Sequence, residues 1–334
     1  MIRISLGLFL STYHKPMNKP GVVLITTLLI VMIMSVLSIQ ISKTFMLSLQ
    51  REGFMNFSNS SYHLLLSAES RSVKQLKQEM ALYKNKLLKS DSLLIDNLYF
   101  EVDSLVLEIE IDDKGNCFNL NSIFNPLQGK YEINKKNYEW LKRFLRAKLF
   151  DELEIESFVD QLIDWVDRDS QPRNYGAEDY FYLGPSSRVQ QYTPKRFLTN
   201  LSELKNFPIV SRLDFSVLTK GMCVFPFTNI QTINVNTLKP DDVLLLATFF
   251  NENNYEYVEG RIIDFPKGGY NLVDDFTKNF PDTLEYPSNV LDVTSKIFSI
   301  KSMLIEEDFF AELETLVILD ASNKSKVLNR HFNL

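Results

Sequence analysis

The chain has 334 residues, of which 45% are apolar and 23% are charged. This composition is ordinary for a globular protein and excludes wholesale disorder, and the length allows two or three compact units. The net charge of −6 argues against a general nucleic-acid-binding protein, because affinity for phosphates comes mainly from clustered Lys and Arg.

An uncharged run, Val22–Ser42, lies near the N-terminus and contains no Gly or Pro. About twenty apolar residues are what a helix needs to cross a bilayer. Arg3, Lys15 and Lys19 precede the run and no acidic residue does, so residues 1–21 are expected in the cytoplasm. The sequence therefore predicts a transmembrane segment over residues 22–42.

The junction Lys19-Pro20-Gly21 stands directly before this run. A secretory signal would place its cleavage site after a shorter apolar core, not before it. Two interpretations stay open from this segment alone. One is a signal-anchored protein with an incidental glycine, and the other is a type IV pilin-like leader, residues 1–21, cut by a prepilin peptidase between Gly21 and Val22. A start at Met17 would leave a five-residue leader.

After Lys43 the chain becomes amphipathic, with apolar residues at helical spacing at Leu65, Ala68, Leu76 and Met80. One helix is predicted from about Val22 into residues 84–89. Its first half would be solvated by lipid, and its second half would pack on a soluble domain.

Strand patterns follow the helix. Apolar and polar residues alternate over 105–112, and a turn leads into a segment at 117–120. Further strands are predicted at 297–305, 313–319 and 327–332.

Between these strands the sequence predicts a helical block, from about residue 127 to 289. Phe158, Val159, Leu162, Ile163 and Val166 form one apolar helical face, and Val243–Phe250 forms the core of another helix. The tetrapeptide Lys-Asn-Phe-Pro occurs at 205–208 and at 278–281, which indicates an internal duplication. The pattern predicts a helical domain inserted into a sheet.

The only cysteines are Cys117 and Cys223. The predicted orientation places both outside the cytoplasm, where disulfides persist. A single bridge, which would join the helical insert to the sheet, and two buried free thiols both stay open.

Oxygen-bearing side chains follow the second half of the helical face. Counted from Asp167, they fall at positions 1, 3, 5 and 12 (Asp167, Asp169, Gln171, Glu178), as in an EF-hand loop. Position 6 is Pro172, not the Gly that an EF-hand turn needs, so a genuine EF-hand is not expected. Asp164 and Asp179 lie nearby. Spacing alone leaves open a hard-cation site of different geometry and an acidic surface loop closed by Arg168 and Arg173.

No enzyme is predicted. The histidines His14, His63 and His331 are scattered over the leader, the long helix and the last strand. This distribution gives no histidine-based triad or zinc cluster. Trp140 and Trp165 fall on apolar helical faces and are expected in the core.

Five motifs, taken in order and spacing, carry a resemblance to a known family. They are Pro20–Thr26, Cys117–Asn121, Leu162–Asp167, Gly176–Tyr180 and Ile233–Thr237. With these motifs the chain, from Lys19 to its C-terminus, resembles the minor pseudopilin K family of bacterial type II secretion systems.

The resemblance implies an α+β fold, in which a long N-terminal transmembrane helix packs on an antiparallel pilin-like sheet. It also implies a large α-helical insert of two SAM-like, helix–hairpin–helix-like units. The expected division is a leader (1–21), a transmembrane part (22–42), the amphipathic helix and first strands (43–126), two helical units (127–222 and 223–290) and the last strands (291–334).

The resemblance further implies a non-enzymatic role at the tip of an inner-membrane pseudopilus that helps to export folded proteins across the outer membrane. The expected partners are the minor pseudopilins I, J and H and a prepilin peptidase, with methylation after cleavage. The C-terminal domain is expected in the periplasm. Because members of the family bind calcium, the resemblance favours a Ca²⁺ site among the acidic residues named above.

The resemblance also gives a meaning to Thr26. Ordinary pilins and the major pseudopilin carry a Glu at this fifth mature position, which pairs with the N-terminal amine of the subunit added before. A first subunit needs no such Glu, so Thr26 is expected in a subunit at the tip. The simpler interpretation is a tolerated helix residue.

A second function remains as the alternative. Ile233–Thr237 also resembles the start of helix–hairpin–helix DNA-binding units of membrane-anchored competence proteins. Those units hold a phosphate on a Gly-rich hairpin, whereas residues 250–255 here contain no Gly and carry an acid. Nucleic-acid binding is therefore not expected.

Overall fold

The structure is a computed structural model that describes residues 20–82, 86–102, 105–127, 130–185, 190–228, 232–250, 255–278, 280, 290–306, 309–320 and 324–334. The predicted leader residues 1–19 with Met17 and His14, most of the hairpin at 250–255 and parts of the second Lys-Asn-Phe-Pro repeat lie outside these ranges.

The helices are α1 (Pro20–Leu82), α2 (Ser92–Ile95), α3 (Lys135–Ala147), α4 (Glu152–Val166), α5 (Asp179–Tyr182), α6 (Phe215–Thr219), α7 (Val243–Phe250), α8 (Tyr255–Ile263) and α9 (Val273–Thr277). The strands are β1 (Leu98–Val102), β2 (Leu105–Asp113), β3 (Phe118–Asn119), β4 (Phe124–Leu127), β5 (Lys130–Ile133), β6 (Met222–Cys223), β7 (Ile233–Asn234), β8 (Leu291–Asp292), β9 (Ile297–Glu306), β10 (Phe309–Leu319) and β11 (Ser325–Asn333). Single 3-10 turns cover Leu120–Ile123, Leu201–Asn206, Ile209–Arg212 and Pro240–Asp242.

The chain divides into two compact units, of which the first ends at Asn59. In that unit the described side chains from Gly21 to Asn56 are all exposed. Hydroxyl groups along this apolar helix are satisfied by its own backbone: Thr26 donates to the carbonyl of Val23 at 3.0 Å. Among the described residues, α1 is the one helix long and apolar enough to cross a membrane.

The second unit begins at Ser60 and contains the last part of α1 together with the sheet. The predicted apolar stripe is confirmed, since Leu65, Ala68, Leu76 and Met80 are all buried. The same stretch of helix contacts the sheet through polar groups. The Arg71 guanidinium lies over the Phe100 ring of β1, 4.7 Å from its centroid.

An ion pair between a buried carboxylate, Glu69, and an exposed guanidinium, Arg330, joins this helix to the last strands. Glu69 accepts hydrogen bonds from the Arg330 guanidinium at 2.7 and 2.8 Å and from the Thr315 hydroxyl at 2.6 Å. Burial alone would raise the pKa of Glu69, but these bonds outweigh it and hold the pKa below its ordinary value. The pair therefore stabilises the folded chain above the ordinary carboxyl range, and its contribution is lost as the pH falls.

The sheet has five antiparallel strands in the order β1-β2-β9-β10-β11. The predicted alternation is confirmed, because Leu107, Ile109 and Ile111 of β2 are buried, whereas Val106 and Glu110, which point to the other face, are exposed. β2 and β9 are neighbours in the ladder, with Ile111 opposite Ile300. Residues 114–296 are therefore an insertion between two paired strands.

The insert has one continuous apolar core, built mainly from α3, α4, α7 and the loops around them. The predicted face of α4 is buried throughout, and α7 has the predicted bounds. Trp140 and Trp165 are both core residues whose indole N–H groups donate to Leu245 O and to the Glu203 carboxylate.

Short strands lie at both predicted boundaries of the first helical unit. The boundary at 126/127 falls inside β4, which forms a hairpin with β5, and the boundary at 222/223 falls inside β6, which pairs in parallel with β3. The predicted strand at 117–120 is reduced to Phe118–Asn119, because the chain turns into a 3-10 helix at Leu120. Strands of two to four residues are too short to show the alternation of apolar and polar residues by which a strand is predicted from sequence.

The structure joins Cys117 and Cys223 in a disulfide, with Cα atoms 5.8 Å apart. Its sulfur atoms lie beside Phe225 and Ile297, in a small core between the insert and the first residue of β9. The bridge closes a loop with a sequence separation of 106 residues. It therefore ties the middle of the insert to the point where the chain left the sheet.

Replacement of both cysteines, Cys117→Ser with Cys223→Ser, should lower the free energy of unfolding. A loop of this length is worth up to about 4–5 kcal/mol in the chain-entropy model, less any strain. Denaturant unfolding of the purified chain measures the change, and thiol titration under denaturing conditions checks the starting state. Two titratable thiols in the unreduced wild-type chain would contradict the bridge.

Candidate cation site

The acidic residues lie where two helices meet a loop. Asp151 caps the start of α4 by accepting from the Glu154 N–H, and Asp167 caps its end. Glu178 then occupies the position before the first residue of α5. The helix termini therefore place the first and last residues of the predicted loop, Asp167 and Glu178.

Polar side chains on α4 fold this loop back onto the helix. The Asp164 carboxylate accepts from the Arg173 N–H at 3.1 Å, and Asp160 accepts from the Tyr175 N–H at 3.2 Å. A Cβ added to Gly176 would lie within bonding distance of the Asp164 carboxylate, so a side chain at this position is incompatible with the fold. Gly176 is required because the loop passes directly over Asp164.

Three carboxylates converge in the resulting pocket. Asp167, Asp169 and Glu178 each offer an oxygen within 4.8 Å of the others. Glu178 is only 1% exposed, and both of its carboxylate oxygens lack a hydrogen-bond partner, as does Oδ1 of Asp167. Unpaired buried charge is costly, so the arrangement calls either for protons or for a cation.

Burial raises the pKa values of three carboxyl groups at this site, those of Asp164, Asp167 and Glu178. Burial raises the pKa of Asp164 to about 6, with the nearby Asp167 adding to the effect against the Arg173 N–H. Burial and then Asp169 raise the pKa of Asp167 to about 6. The pKa of Glu178 rises to about 7 through burial, which the Lys195 ammonium opposes and Asp167 reinforces.

Two of the residues predicted from spacing are placed differently. The Asp179 carboxylate accepts from the Thr193 N–H and hydroxyl at 2.7 Å each, and it lies 3.5 Å from the Lys195 ammonium. Burial would raise the pKa of Asp179, but the bonds from Thr193 outweigh it and lower the pKa. Gln171 is exposed, and its backbone N–H donates to Asp169.

Lys195 was not recognised from the sequence. Its ammonium donates to Asp169 O at 2.7 Å and to the Ser170 hydroxyl at 3.0 Å, and its backbone has a positive φ of 48°. Its partners Asp169 and Asp179 both precede it by more than ten residues, so no local spacing could have indicated it. Of the two arginines in the alternative interpretation, Arg173 bonds Asp164 through its backbone N–H, and the Arg168 guanidinium lies over the Tyr131 ring.

The donors fit a hard cation. Carboxylate oxygens are the preferred ligands of Ca²⁺, which takes six to eight oxygens at 2.3–2.6 Å in flexible geometry. Asp167, Asp169 and Glu178 would be ligands, and Asp164 lies beside them. A cation would satisfy the three unpaired oxygens at once.

Near the N-terminus, Gly21 and Val22 lie at the start of α1, and both are exposed. A Cβ added to Gly21 would meet nothing within 4 Å. Packing in this structure therefore gives no reason for a glycine at this position.

Known proteins are similar to this chain over most of its length. The family model described as "Type II secretion system (T2SS), protein K" matches residues 116–227. The type II secretion system protein K of Aeromonas hydrophila is 27% identical over 94% of this chain and 97% of its own length. The protein of the same name from Pectobacterium carotovorum is 25% identical over 89% of this chain and 87% of its own.

The resemblance to the protein K family is confirmed. The fold agrees with it, because a chain in the crystal structure of the GspK-GspI-GspJ complex from enterotoxigenic Escherichia coli superposes with a TM-score of 0.69. That match covers 85% of this chain and 99% of the other, at 19% identity. Protein K is a structural component of the secretion system, not an enzyme, and the competence-type DNA receptor gains no support from these relatives.

Proposed function

We propose that this chain is the minor pseudopilin K of a type II secretion system and acts at the tip of the inner-membrane pseudopilus in the export of folded proteins. The observation that carries the proposal is the match along nearly the whole length of the Aeromonas hydrophila protein K. The apolar N-terminal helix followed by a five-stranded antiparallel sheet supports the same assignment.

The proposed topology is a single pass through the inner membrane with the domain from Ser60 onward in the periplasm. Basic residues before the apolar run support this orientation. The disulfide between Cys117 and Cys223 agrees with it, because such bonds persist in the periplasm.

The proposed partners are the minor pseudopilins I and J, with H as a further subunit. A structural relative is described in complex with GspI and GspJ. Within the insert we infer two SAM-like units, residues 127–222 and 223–290. The buried aromatic residue in each Lys-Asn-Phe-Pro repeat, Phe207 and Phe280, supports this division.

Maturation would occur by cleavage between Gly21 and Val22. Pilin-type peptidases need a residue without a side chain before the cut, and packing gives no other reason for Gly21. Gly21→Ala should therefore leave the leader attached, whereas the wild-type chain should begin at Val22. N-terminal sequencing of protein purified from the membrane decides this, and a wild-type chain that begins elsewhere would contradict the proposal.

We propose Ca²⁺ as a structural ion held by Asp167, Asp169 and Glu178, with Asp164 beside them. The unpaired oxygens of Glu178 and Asp167 support the assignment. Asp179 and Gln171 are left out, because one is bonded to Thr193 and Lys195 and the other is exposed.

Added Ca²⁺ should raise the melting temperature of the purified chain, because an ion that binds only the folded form stabilises it by mass action. Glu178→Gln should remove the response, and Asp179→Asn should keep it. Without Ca²⁺, the raised pKa values of Asp164, Asp167 and Glu178 mean that the contribution of these three groups to stability is fully present below about pH 4 and is lost as the pH rises through about 6–7. Ca²⁺ should suppress this fall. Equal melting curves with Ca²⁺ and with chelator at pH 7.5 would refute the site.

The position at the tip is proposed from Thr26. A Glu in the apolar core would cost at least about 2.5–3.5 kcal/mol on insertion scales, so it is expected only where a neighbour offsets the cost. The Thr26 hydroxyl is satisfied within its own helix and needs no neighbour. The large insert at residues 114–296 agrees, because repeating it at every step of a filament would crowd the shaft.

Immunogold labelling of pseudopili with an antibody against this chain should place the label at one end. The antibody against the major pseudopilin serves as control and should mark the whole shaft. Label from this chain distributed along the shaft would reject the tip position and leave Thr26 as a tolerated helix residue.

A further inference from the structure

The face of the sheet that points away from α1 carries an apolar row at one end. Val106 on β2, Ile305 on β9 and Phe310 on β10 lie side by side on adjacent strands. They are 54%, 66% and 43% exposed, whereas Leu107, Leu304 and Ala311, which adjoin them in the chain and face α1, are buried. Tyr99 of β1, 62% exposed, lies on the same face. These four residues are called the outer apolar row.

The rest of this outer face is strongly acidic. Side-chain alternation places six carboxylates and a single lysine on the outer side of β1, β2, β9 and β10. The carboxylates belong to Glu101, Glu108, Glu110, Asp112, Glu312 and Glu314, and the lysine is Lys301. Lys301 is already paired with Glu312 at 2.8 Å, and Asp112 is paired with Lys114 at 3.0 Å and Lys239 at 2.8 Å, so two of the six carboxylates are neutralised within the chain. Like charges at this density repel one another, so the face favours a positively charged neighbour.

The insert covers only the opposite end of the same face. There the apolar residues Leu316 and Ile318 pack against Phe225 and the disulfide. The outer apolar row has no such cover from the part of the chain that the structure describes, as its exposure shows. Apolar side chains of this face are thus partly covered by the insert at one end of the strands and exposed to water at the other.

We propose that the outer apolar row and the carboxylates around it form the surface on which this chain docks a neighbouring subunit of the same filament. That subunit would present apolar side chains surrounded by Lys and Arg. Stable interfaces combine an apolar centre with a polar rim, and complementary charge selects the partner and its orientation. The inference rests on the proposed function, since it supplies the surface through which that assembly occurs.

Site-specific photo-crosslinking in the full chain tests the surface directly. A photoreactive residue is placed at position 305 or, as the matched control, at position 263, where Ile263 on α8 is 68% exposed. The chain is produced in bacterial membranes together with minor pseudopilins I and J of the same system. Position 305 should crosslink to I or J and position 263 should not. A crosslink from 263 but not from 305 would overturn the inference.

Paired substitutions give an independent measurement. Ile305→Ser should reduce the amount of I and J that co-purifies with the chain by about tenfold, as expected for a central interface residue. Glu101→Lys should also weaken capture, because it reverses a charge next to the row. The controls Ile263→Ser and Glu259→Lys should bind like the wild type. Unchanged melting temperatures show that each variant is folded.

The outcomes separate this inference from the proposed function. If the wild-type chain captures I and J and the variants at 305 and 101 capture them equally well, the surface is wrong and the function stands. If the wild-type chain captures neither subunit, both fail. A crosslink from position 305 to an exported protein and to no pseudopilin would show that the occupant is wrong.

Discussion

The Asp113 carboxylate is the contact on which the inserted architecture depends. It stands at the end of β2, where the chain leaves the sheet, and its Oδ1 accepts from the Gly115 N–H at 2.8 Å. Its Oδ2 accepts at 2.5 Å from two hydroxyls, those of Thr237 inside the insert and Ser295 just before β9. A buried carboxylate must be hydrogen-bonded to be tolerated, so this group can exist only if exit, insert and return come together. The Cys117–Cys223 bridge then holds the same corner covalently.

Two buried carboxylates, Asp113 and Glu178, differ in whether the protein itself supplies their hydrogen-bond donors. Both carboxylates are buried in the same unit. Asp113 has three protein donors, whereas neither oxygen of Glu178 has one. The Asp113 carboxylate is therefore fully hydrogen-bonded by the protein. The second is held in place by the start of α5 and left with unused acceptors, which is the condition for binding a cation.

The sequence predicts well those features that repeat over many residues. The long apolar helix, the alternation of β2 and the bounds of α7 all follow from periodic patterns. Contacts between distant residues were not predictable, because Glu69 and Arg330 are separated by 261 positions and no local pattern joins them. The acidic loop shows the same limit. The spacing predicted Asp167, Asp169 and Glu178 as ligands of a cation, but it also predicted Asp179. The Asp179 carboxylate instead accepts a hydrogen bond from Thr193, which the spacing of the acidic residues does not indicate.

The two faces of the sheet follow different rules. The inner face is apolar and packs against the last part of α1, and the buried Glu69 carboxylate of that helix has a full set of donors. An antiparallel sheet can leave its other face to water, for which alternating polar residues suffice. The carboxylates of the outer face suit contact with water. Val106, Ile305 and Phe310 do not, because exposed apolar side chains on three adjacent strands gain no free energy from solvent. Their presence is explained by contact with another protein, as a subunit built to assemble requires.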